Sequence, residues 1–517
     1  MGRGCRALLA GALFLPAAAA AQLAPVGVPK GLVRLDLDGA LESVDRRYLD
    51  GNLQEFGADL ASLALGSDRI PALGDADARL ARITGDAGAG LDLGRLTATA
   101  QGSRSIGVIG LAVGLTSRLT VFARLPLVRA RVTPRLTLDS TSSNAGVNPA
   151  DPVFGTAGGA AQTAGFFQDF GNALADLQTR LQAGAYDGDP TLKALAQSTL
   201  ASGASLRDDL FGLLADPATA SGFAPTTASP LGAAVRDKIQ ALQTTLAGAL
   251  GVAGFASAPA LPDVRASQDQ LTGYLTSANG PIVGRLDSTA LSQRGDAEVG
   301  GVWTLVDRWN DDAKGTGIRA ALTGVARLGT GFAPRPNYFL DLGTGTSHGA
   351  LGGAITTDIG VGRFAARLTA GYLRQLAGNQ IVRLTSPDQP YARFDRVVTV
   401  RVKPGDVLTL GAHPMIRLLP SFGIQAGLDY RRESDEQVSY ASAGDSIPGV
   451  PASLLAADSR IGVTTFSAGV TYSRPGKTGL PLDANWTFEQ VIAGSGGRVL
   501  KTQTLRAGIR LYHRLFK

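Results

Sequence analysis

The chain has 517 residues and a net charge of +6, with 18% charged residues, 67 glycines and a mean hydropathy of +0.10. A soluble protein normally carries about a quarter charged residues, so the missing charge indicates an apolar environment. The single cysteine (Cys5) and three separated histidines offer no disulfide, thiolate nucleophile or metal cluster, and we expect no metal and no cofactor. The modest charge, without a basic patch, argues against a nucleic-acid partner.

The first residues have the composition of an export signal. Two arginines precede an apolar run that ends at Leu15, and the small-residue triplet Ala19–Ala21 follows. This pattern predicts a secretory signal peptide over 1–21 and a mature N-terminus at Gln22. The apolar run is shorter than the roughly 20 residues of a transmembrane helix.

Beyond the leader, apolar and polar residues alternate with period 2, the pattern of strands with one apolar face. The alternation is clear over 33–43, 364–372, 422–431 and 505–512. These runs approach the roughly 9–11 residues that cross a bilayer on a tilt, whereas sandwich strands average about 5–6. We therefore predict a transmembrane antiparallel β-barrel. A secreted β-sandwich is the alternative.

About twelve strands are predicted, an even number that leaves both termini in the periplasm. They lie near 32–43, 93–115, 118–132, 296–308, 317–329, 350–360, 363–374, 405–418, 421–432, 459–473, 482–493 and 500–515. The barrel strands thus divide into an N-terminal group within 22–133 and a C-terminal group within 296–517. The stretch Val397–Val402 is assigned to a loop, because counting it would place the C-terminus outside.

Short turns alternate with long connections along the chain, as in barrels with periplasmic turns and extracellular loops. The protein is therefore expected in the outer membrane, among its lipids. Phe516, one residue before the end, approximates an aromatic C-terminal signal for the barrel-assembly machinery. Trp303, Trp309 and Trp486 are candidates for an aromatic belt or for the sheet core.

The segment 134–295 changes from period 2 to the helical spacing of 3.6. One apolar stripe is formed by Phe167, Phe170, Leu174, Leu177 and Leu181, and another by Val235, Ile239, Leu242, Leu246 and Leu250. Asp189-Pro190 and Ser229-Pro230 each read as an N-cap followed by proline at the first helical position. We predict about four helices that form an all-α insertion in one extracellular loop and restrict access to the lumen. A partner-binding surface on these helices is the alternative.

Several turn and strand-end motifs resemble those of a known family. They are Gly114–Leu119, Gly295-Asp296, Arg327–Gly331, Gly343–Gly345 with Gly360–Arg363, and Pro404–Asp406 with Leu418–Ser421. Over 105–132 and 295–517 the chain is similar to the outer-membrane meta-pathway phenol-degradation proteins, a transporter-like family. The resemblance implies a barrel that passes aromatic or hydrophobic small molecules. It departs from the family pattern in the helical insertion and in the absence of a proline within 328–331.

The sequence contains no catalytic constellation, so we expect that the protein is not an enzyme. The residues expected to determine its function are those that line the lumen. Nine charged residues are predicted by strand parity to line it: Arg319, Arg327, Arg363, Arg367, Asp429, Arg431, Glu489, Arg506 and Arg510. Such a lining would tune selectivity for small solutes, hydrophobic or anionic. If the arginines instead pair with inward acids, the lumen is filled and the barrel is structural or partner-binding.

The signal-peptide assignment is tested by N-terminal sequencing of protein purified from outer membranes. We expect the sequence to begin at Gln22, because the Ala19–Ala21 triplet meets the small-residue cleavage rule. Recovery of protein that still carries Met1 would contradict both the cleavage site and export by this signal.

Overall fold

A computed structural model describes residues 26–309, 317–386, 389–419, 421–474 and 482–515. The predicted cleavage site and Phe516 lie outside these residues. Twelve long strands run through the described chain: β1 (Leu32–Leu49), β2 (Arg95–Gly114), β3 (Leu119–Asp139), β4 (Glu298–Trp309), β5 (Gly317–Arg327), β6 (Ala350–Val361), β7 (Phe364–Gln375), β8 (Val407–Leu419), β9 (Phe422–Glu433), β10 (Ile461–Arg474), β11 (Leu482–Gly496) and β12 (Arg498–Arg514).

Each long strand pairs antiparallel with the next along the chain, and the last returns to the first. The closing pair runs from Leu32 opposite Arg514 to Leu49 opposite Arg498, almost the whole length of β1. Such closure leaves no free sheet edge among these strands, so their backbone groups are satisfied within the sheet. The predicted twelve-stranded transmembrane barrel is confirmed.

Side chains alternate between the two faces of the wall as the pleat requires. On β7, Leu368 points outward and is 44% exposed, whereas the adjacent Arg367 points inward and is 3% exposed. Large apolar residues cover the outward face on every strand, including Trp303 and Trp486, while buried charges line the inside. A closed barrel with an apolar outer band is the architecture of outer-membrane proteins, and this protein is located in the outer membrane.

No described helix is both long enough and apolar enough to cross a bilayer.

The two ends of the barrel differ in their connections. The turns at 115–118 and 362–363 join strands at the end where β1 begins and β12 finishes. Long connections leave the opposite end, over 50–94, 140–288, 328–349, 376–406 and 434–460. The end with short turns is periplasmic and the other extracellular. The chain doubles back once at the extracellular end through a single residue, Gly497, where a Cβ would overlap the carbonyl of Asp458.

Five α-helices lie in the extracellular connections: α1 (Gly74–Thr84), α2 (Ala157–Gln182), α3 (Pro190–Leu214), α4 (Pro230–Thr244) and α5 (Gln268–Thr276). The predicted starts of α3 and α4 are confirmed. Asp189 accepts hydrogen bonds from the amides of Thr191 and Leu192, and Ser229 accepts one from Gly232. Ser267 and Gln270 form a capping box on α5, which the sequence analysis did not identify.

The helices share one apolar core with the extracellular mouth of the barrel. Phe166, Phe170 and Leu177 of α2 pack in the same buried cluster as Leu80 of α1 and Val132 of β3. The helical region therefore draws on two connections, because α1 comes from the loop after β1. We call α1 to α5 with their linkers the cap.

Strand pairing extends beyond the predicted insertion boundaries of 134 and 295. β3 continues to Asp139, and a short strand, Thr289–Arg294, pairs with Leu127–Val132 of β3. The connection free of wall pairing is thus 140–288. Val397–Val402 also forms a strand, but it pairs with Gly378–Arg383 and Gln437–Tyr440 in a separate three-stranded sheet. The prediction that it lies outside the barrel wall is therefore correct.

The two faces of β7 provide a test of the wall register. Leu368→Arg should destabilise the barrel by about 2–4 kcal/mol, because it forces a charge into the hydrocarbon region. Thr369→Arg faces the lumen and should cost much less. Both are measured as free energies of unfolding after refolding into liposomes, and equal costs would contradict the register.

Candidate functional site

The periplasmic mouth is occupied by the chain's own residues 26–30. The amide of Val28 donates to Oγ1 of Thr120 at 2.8 Å, and Nη1 of Arg34 donates to the carbonyl of Val26 at 3.4 Å. A Cβ at Gly114 would lie 2.5 Å from the carbonyl oxygen of Val28, so glycine is required for this close approach. We call 26–30 the N-terminal segment.

Above this segment, the lower lumen is crossed by buried ion pairs. Asp36 of β1 lies 2.7 Å from Nε of Arg34 and 3.7 Å from Nε of Arg510. Arg367 forms a two-point pair with Asp358, at 2.6 and 2.8 Å. A small cavity of about 30 Å³ remains between these side chains.

The middle of the lumen is also crossed by ion pairs. Arg506 donates to both carboxylate oxygens of Glu489, at 3.0 and 3.2 Å. Arg104 lies 3.3 Å from Glu42 and also donates to the carbonyl of Leu342, whose loop enters the lumen between β5 and β6. Several of the charges that the pleat directs inward therefore meet an acid or a carbonyl, whereas Nε and Nη2 of the buried Arg417 on β8 have no hydrogen-bond partner among the described residues.

At the extracellular end of the lumen, a polar chain links three strands. Arg327 donates to Oε1 of Gln375 at 2.6 Å, and Gln375 donates to Glu433 at 3.0 Å. Arg431 donates to the other carboxylate oxygen of Glu433 at 2.5 Å. These groups lie on β5, β7 and β9 and form the floor below the cap.

Eight of the nine predicted lumen residues lie on barrel strands and have a side-chain partner. Besides those above, Arg319 lies 3.3 Å from Asp307, with its guanidinium 4.7 Å from the ring centre of Trp309, and Asp429 lies 3.0 Å from Nε2 of His413. Arg363 instead occupies the exposed two-residue turn with Gly362. The alternation of inward and outward side chains does not hold at Arg363, because the chain reverses direction in this turn.

Sequence reasoning missed the acids that complete these pairs, Asp36, Glu42, Asp358 and Glu433. They lie on the same alternating faces as the arginines, so the parity rule could have identified them. Because five of the six predicted arginines on the strands are paired with carboxylates, and Arg327 donates to Gln375, these side chains do not form a ladder of free positive charge. This is the arrangement expected of a filled lumen rather than an anion-selective pore.

The regular strand pairing of the barrel wall is interrupted next to Pro126, where a single backbone hydrogen bond, from the amide of Gly295 to the carbonyl of Pro126 at 2.8 Å, joins the two sides. β4 pairs with β3 only up to Arg124, and Thr289–Arg294 pairs with β3 only from Leu127 onward. Between them, the side chain of Asp296 turns inward and accepts from the amides of Gly331 and Thr346 at 2.7 Å each. A cavity of about 40 Å³ lies directly behind this interruption. We call residues 295–297 the wall break.

A cavity of about 150 Å³ lies over the extracellular mouth. Its apolar walls include Leu60, Pro334, Tyr338, Phe339, Val382, Val402, Leu455 and Ile461. Arg335, Arg383, Arg498 and Glu433 add charge, and Glu433 connects the cavity to the floor of the lumen. We call this space the mouth cavity. It is assembled from five separate chain segments, and no local sequence signal pointed to it.

Arg383 differs from the other charged groups of the mouth cavity. Arg335 pairs with Asp341 at 2.8 Å and Arg498 with Asp59 at 3.0 Å. Within the described chain, Arg383 donates only to backbone carbonyls, including those of Ile282 at 2.7 Å and Ala392 at 2.8 Å. Burial lowers the pKa of the Arg383 guanidinium to about 10, so it stays charged at neutral pH.

One polar atom of the cavity lining lacks a hydrogen-bond partner. Oε1 of Gln380 is buried and has no hydrogen-bond partner among the described residues. Together, the guanidinium of Arg383 and the amide of Gln380 give an apolar cavity a polar end. Such a site accommodates a small molecule with an apolar body and one polar or anionic group.

Comparison with known proteins finds solved structures that are similar at low sequence identity and low TM-score. No family model matches the chain, and no curated protein matches it. An outer-membrane channel from Pseudomonas putida F1 is similar, at 10% identity and a TM-score of 0.41, over 95% of this chain and 100% of that one. A FadL homologue from Pseudomonas aeruginosa has 10% identity and a TM-score of 0.27, over 94% and 90%. A deletion mutant of the monoaromatic hydrocarbon channel TodX has 10% identity and a TM-score of 0.28, over 94% and 91%.

The pair of Arg367 and Asp358 tests whether the lumen charges are structural. Arg367→Leu alone should destabilise the barrel by about 3–5 kcal/mol, because it leaves a buried carboxylate without its partner. The double variant Arg367→Leu, Asp358→Leu should recover most of that loss. Urea unfolding in liposomes measures both, and a double variant no more stable than the single one would contradict a purely structural pair.

Proposed function

We propose that this protein is an outer-membrane channel for small solutes with a single-ring-sized apolar body, and that solutes bind first in the mouth cavity. The observation that carries the proposal is the size and lining of that cavity. An apolar cavity of roughly 150 Å³ is large enough to hold benzene, and the mouth cavity has this volume. Its position over the lumen floor suits an entry site.

The cationic end of the cavity supports a preference for solutes with an anionic or acceptor group. Arg383 is charged, half-buried and without a carboxylate partner among the described residues. A carboxylate or hydroxyl of a bound solute would accept from its remaining donor capacity and from the amide of Gln380. The resemblance to phenol-degradation proteins is in line with a monoaromatic solute.

The wall break supports a route onward from the mouth cavity. Residues 295–297 interrupt the ladder between β3 and β4, and the 40 Å³ cavity lies behind them. In contrast, the N-terminal segment blocks the straight path to the periplasm. We therefore propose that apolar solutes leave the lumen sideways at the wall break, into the membrane.

A second candidate function is a structural or partner-binding barrel. The observation in its favour is the paired state of the lumen charges, with the N-terminal segment at one end and the cap at the other. Under this alternative the cap binds a protein or a surface polymer, and no solute passes. A role of the cap in restricting access to the lumen is part of the channel proposal only.

Uptake measurements separate the two candidates. Initial rates of radiolabelled toluene and benzoate uptake are measured in a Gram-negative host that expresses the full chain, against cells with empty vector. Ala457→Trp places a large ring at the rim of the mouth cavity, and we expect it to reduce the uptake of both solutes. Arg383→Met removes the cationic end and should reduce benzoate uptake more than toluene uptake.

The matched control is Ala443→Trp, an exposed alanine in the same connection that does not line the cavity. It should leave both rates unchanged. Uptake no faster than in vector-only cells would contradict the channel proposal and favour the structural barrel. Equal loss of toluene and benzoate uptake in Arg383→Met would contradict the role of charge while leaving the channel in place.

A further inference from the structure

The hairpin of β2 and β3 is the tallest part of the wall, and its outer face changes composition half-way up. The strands have 20 and 21 residues, whereas β6 and β7 have 12 each. On β3 the outward positions are first apolar, at Val121, Ala123, Leu125 and Leu127, and then basic, at Arg129, Arg131 and Arg135. Because outward apolar residues face hydrocarbon, the wall leaves the hydrocarbon layer at Arg129, on the extracellular side.

A fourth arginine lies beside these three on the neighbouring strand. Arg294 is paired with Leu127, and Ser292 with Arg129, so Arg294 is the diagonal neighbour of Arg129 at roughly 7–8 Å. Arg129 and Arg131 are two residues apart on one face, roughly 7 Å along the strand. All four side chains are exposed. We call Arg129, Arg131, Arg135 and Arg294 the outer arginine patch.

The patch has no counter-charge in the described part of the chain. None of its four guanidiniums forms an ion pair there, and Arg294 donates only to the carbonyl of Thr330, at 3.1 Å. The residues that face the three β3 arginines across the ladder on β2 are neutral: Ser105, Ser103 and Thr99. By comparison, Arg46 on the outer face of β1 lies 3.8 Å from Glu55.

Clustered arginines without acids repel each other, so an external anion would stabilise this arrangement. Their height selects that anion, because the level just above the hydrocarbon of the outer leaflet holds the phosphates of lipopolysaccharide. The planar guanidinium donates two parallel hydrogen bonds to a phosphate. We propose that the outer arginine patch is a binding site for the phosphate groups of lipopolysaccharide.

The test uses the full chain, purified in detergent and incubated with lipopolysaccharide or with its enzymatically dephosphorylated form. Binding is measured by native mass spectrometry and by thermophoresis. The triple variant Arg129→Gln, Arg131→Gln, Arg294→Gln should bind intact lipopolysaccharide about a hundredfold more weakly, the loss expected for three basic residues beside an anionic lipid surface. Dephosphorylated lipopolysaccharide should bind wild-type protein as weakly as the triple variant binds the intact form.

The control removes the same number of outward arginines elsewhere on the wall, as Arg308→Gln, Arg374→Gln, Arg432→Gln, and should bind like wild type. The triple lysine variant of the patch should retain part of the affinity. A heat-dependent change in the mobility of this variant in gels shows that its barrel is folded. Unchanged binding in the glutamine variant, or equal loss in the control, would overturn the proposal. Equal binding of phosphatidylglycerol vesicles would show that any lipid phosphate suffices, and would overturn the assignment to lipopolysaccharide.

Discussion

The pairing of β1 with β12 is the constraint on which the rest of the structure depends. Within hydrocarbon no water satisfies a free amide or carbonyl, so a spanning sheet must close on itself. Here the closing ladder runs from Leu32 opposite Arg514 to Leu49 opposite Arg498. Closure makes each strand alternate strictly between lipid and lumen, because a slip by one residue would exchange the faces along the entire strand. The apolar exterior and the charged interior are two results of the same pleat.

That alternation determines where function can lie. Inside the narrow lumen an unpaired buried charge is costly, and many of the inward charges are paired there, as Arg367 is with Asp358 and Arg506 with Glu489. The lumen is therefore polar, and much of its charge is compensated by neighbouring strands. Space for a ligand is found where the pleat no longer dictates the side chains, namely among the extracellular loops above Glu433. The one guanidinium of the mouth cavity without a described carboxylate partner, Arg383, is supplied by such a loop region.

Periodic features could be predicted from the sequence, and features formed between distant segments could not. Strand count and faces follow from period 2, and the helix starts at Asp189-Pro190 and Ser229-Pro230 follow from cap chemistry. Parity mis-assigned Arg363, since a turn interrupts the period, and the helical stripe of α2 is centred on Phe166 rather than on Phe167. The short strand Thr289–Arg294 was missed because Gly295-Asp296-Ala297 breaks the alternation before β4. The mouth cavity is formed by five separate segments that only the fold brings together. No residue spacing in the sequence predicts that these segments meet.

The N-terminal segment has a consequence for the order of folding. It enters the periplasmic mouth directly before β1, the first strand made, and its contacts with Thr120 lie inside the wall. The ring is completed only when β12, the last strand made, reaches β1, over a sequence separation of almost the whole chain. Contacts of such long range are slow to form. The segment must therefore enter the cylinder before the seam shuts, since afterwards the narrowed mouth and Gly114 leave little room for its passage. Pairing of β12 with β1 is therefore the step after which the position of the N-terminal segment can no longer change readily. A chain that closes with this segment outside would be trapped in a misassembled barrel.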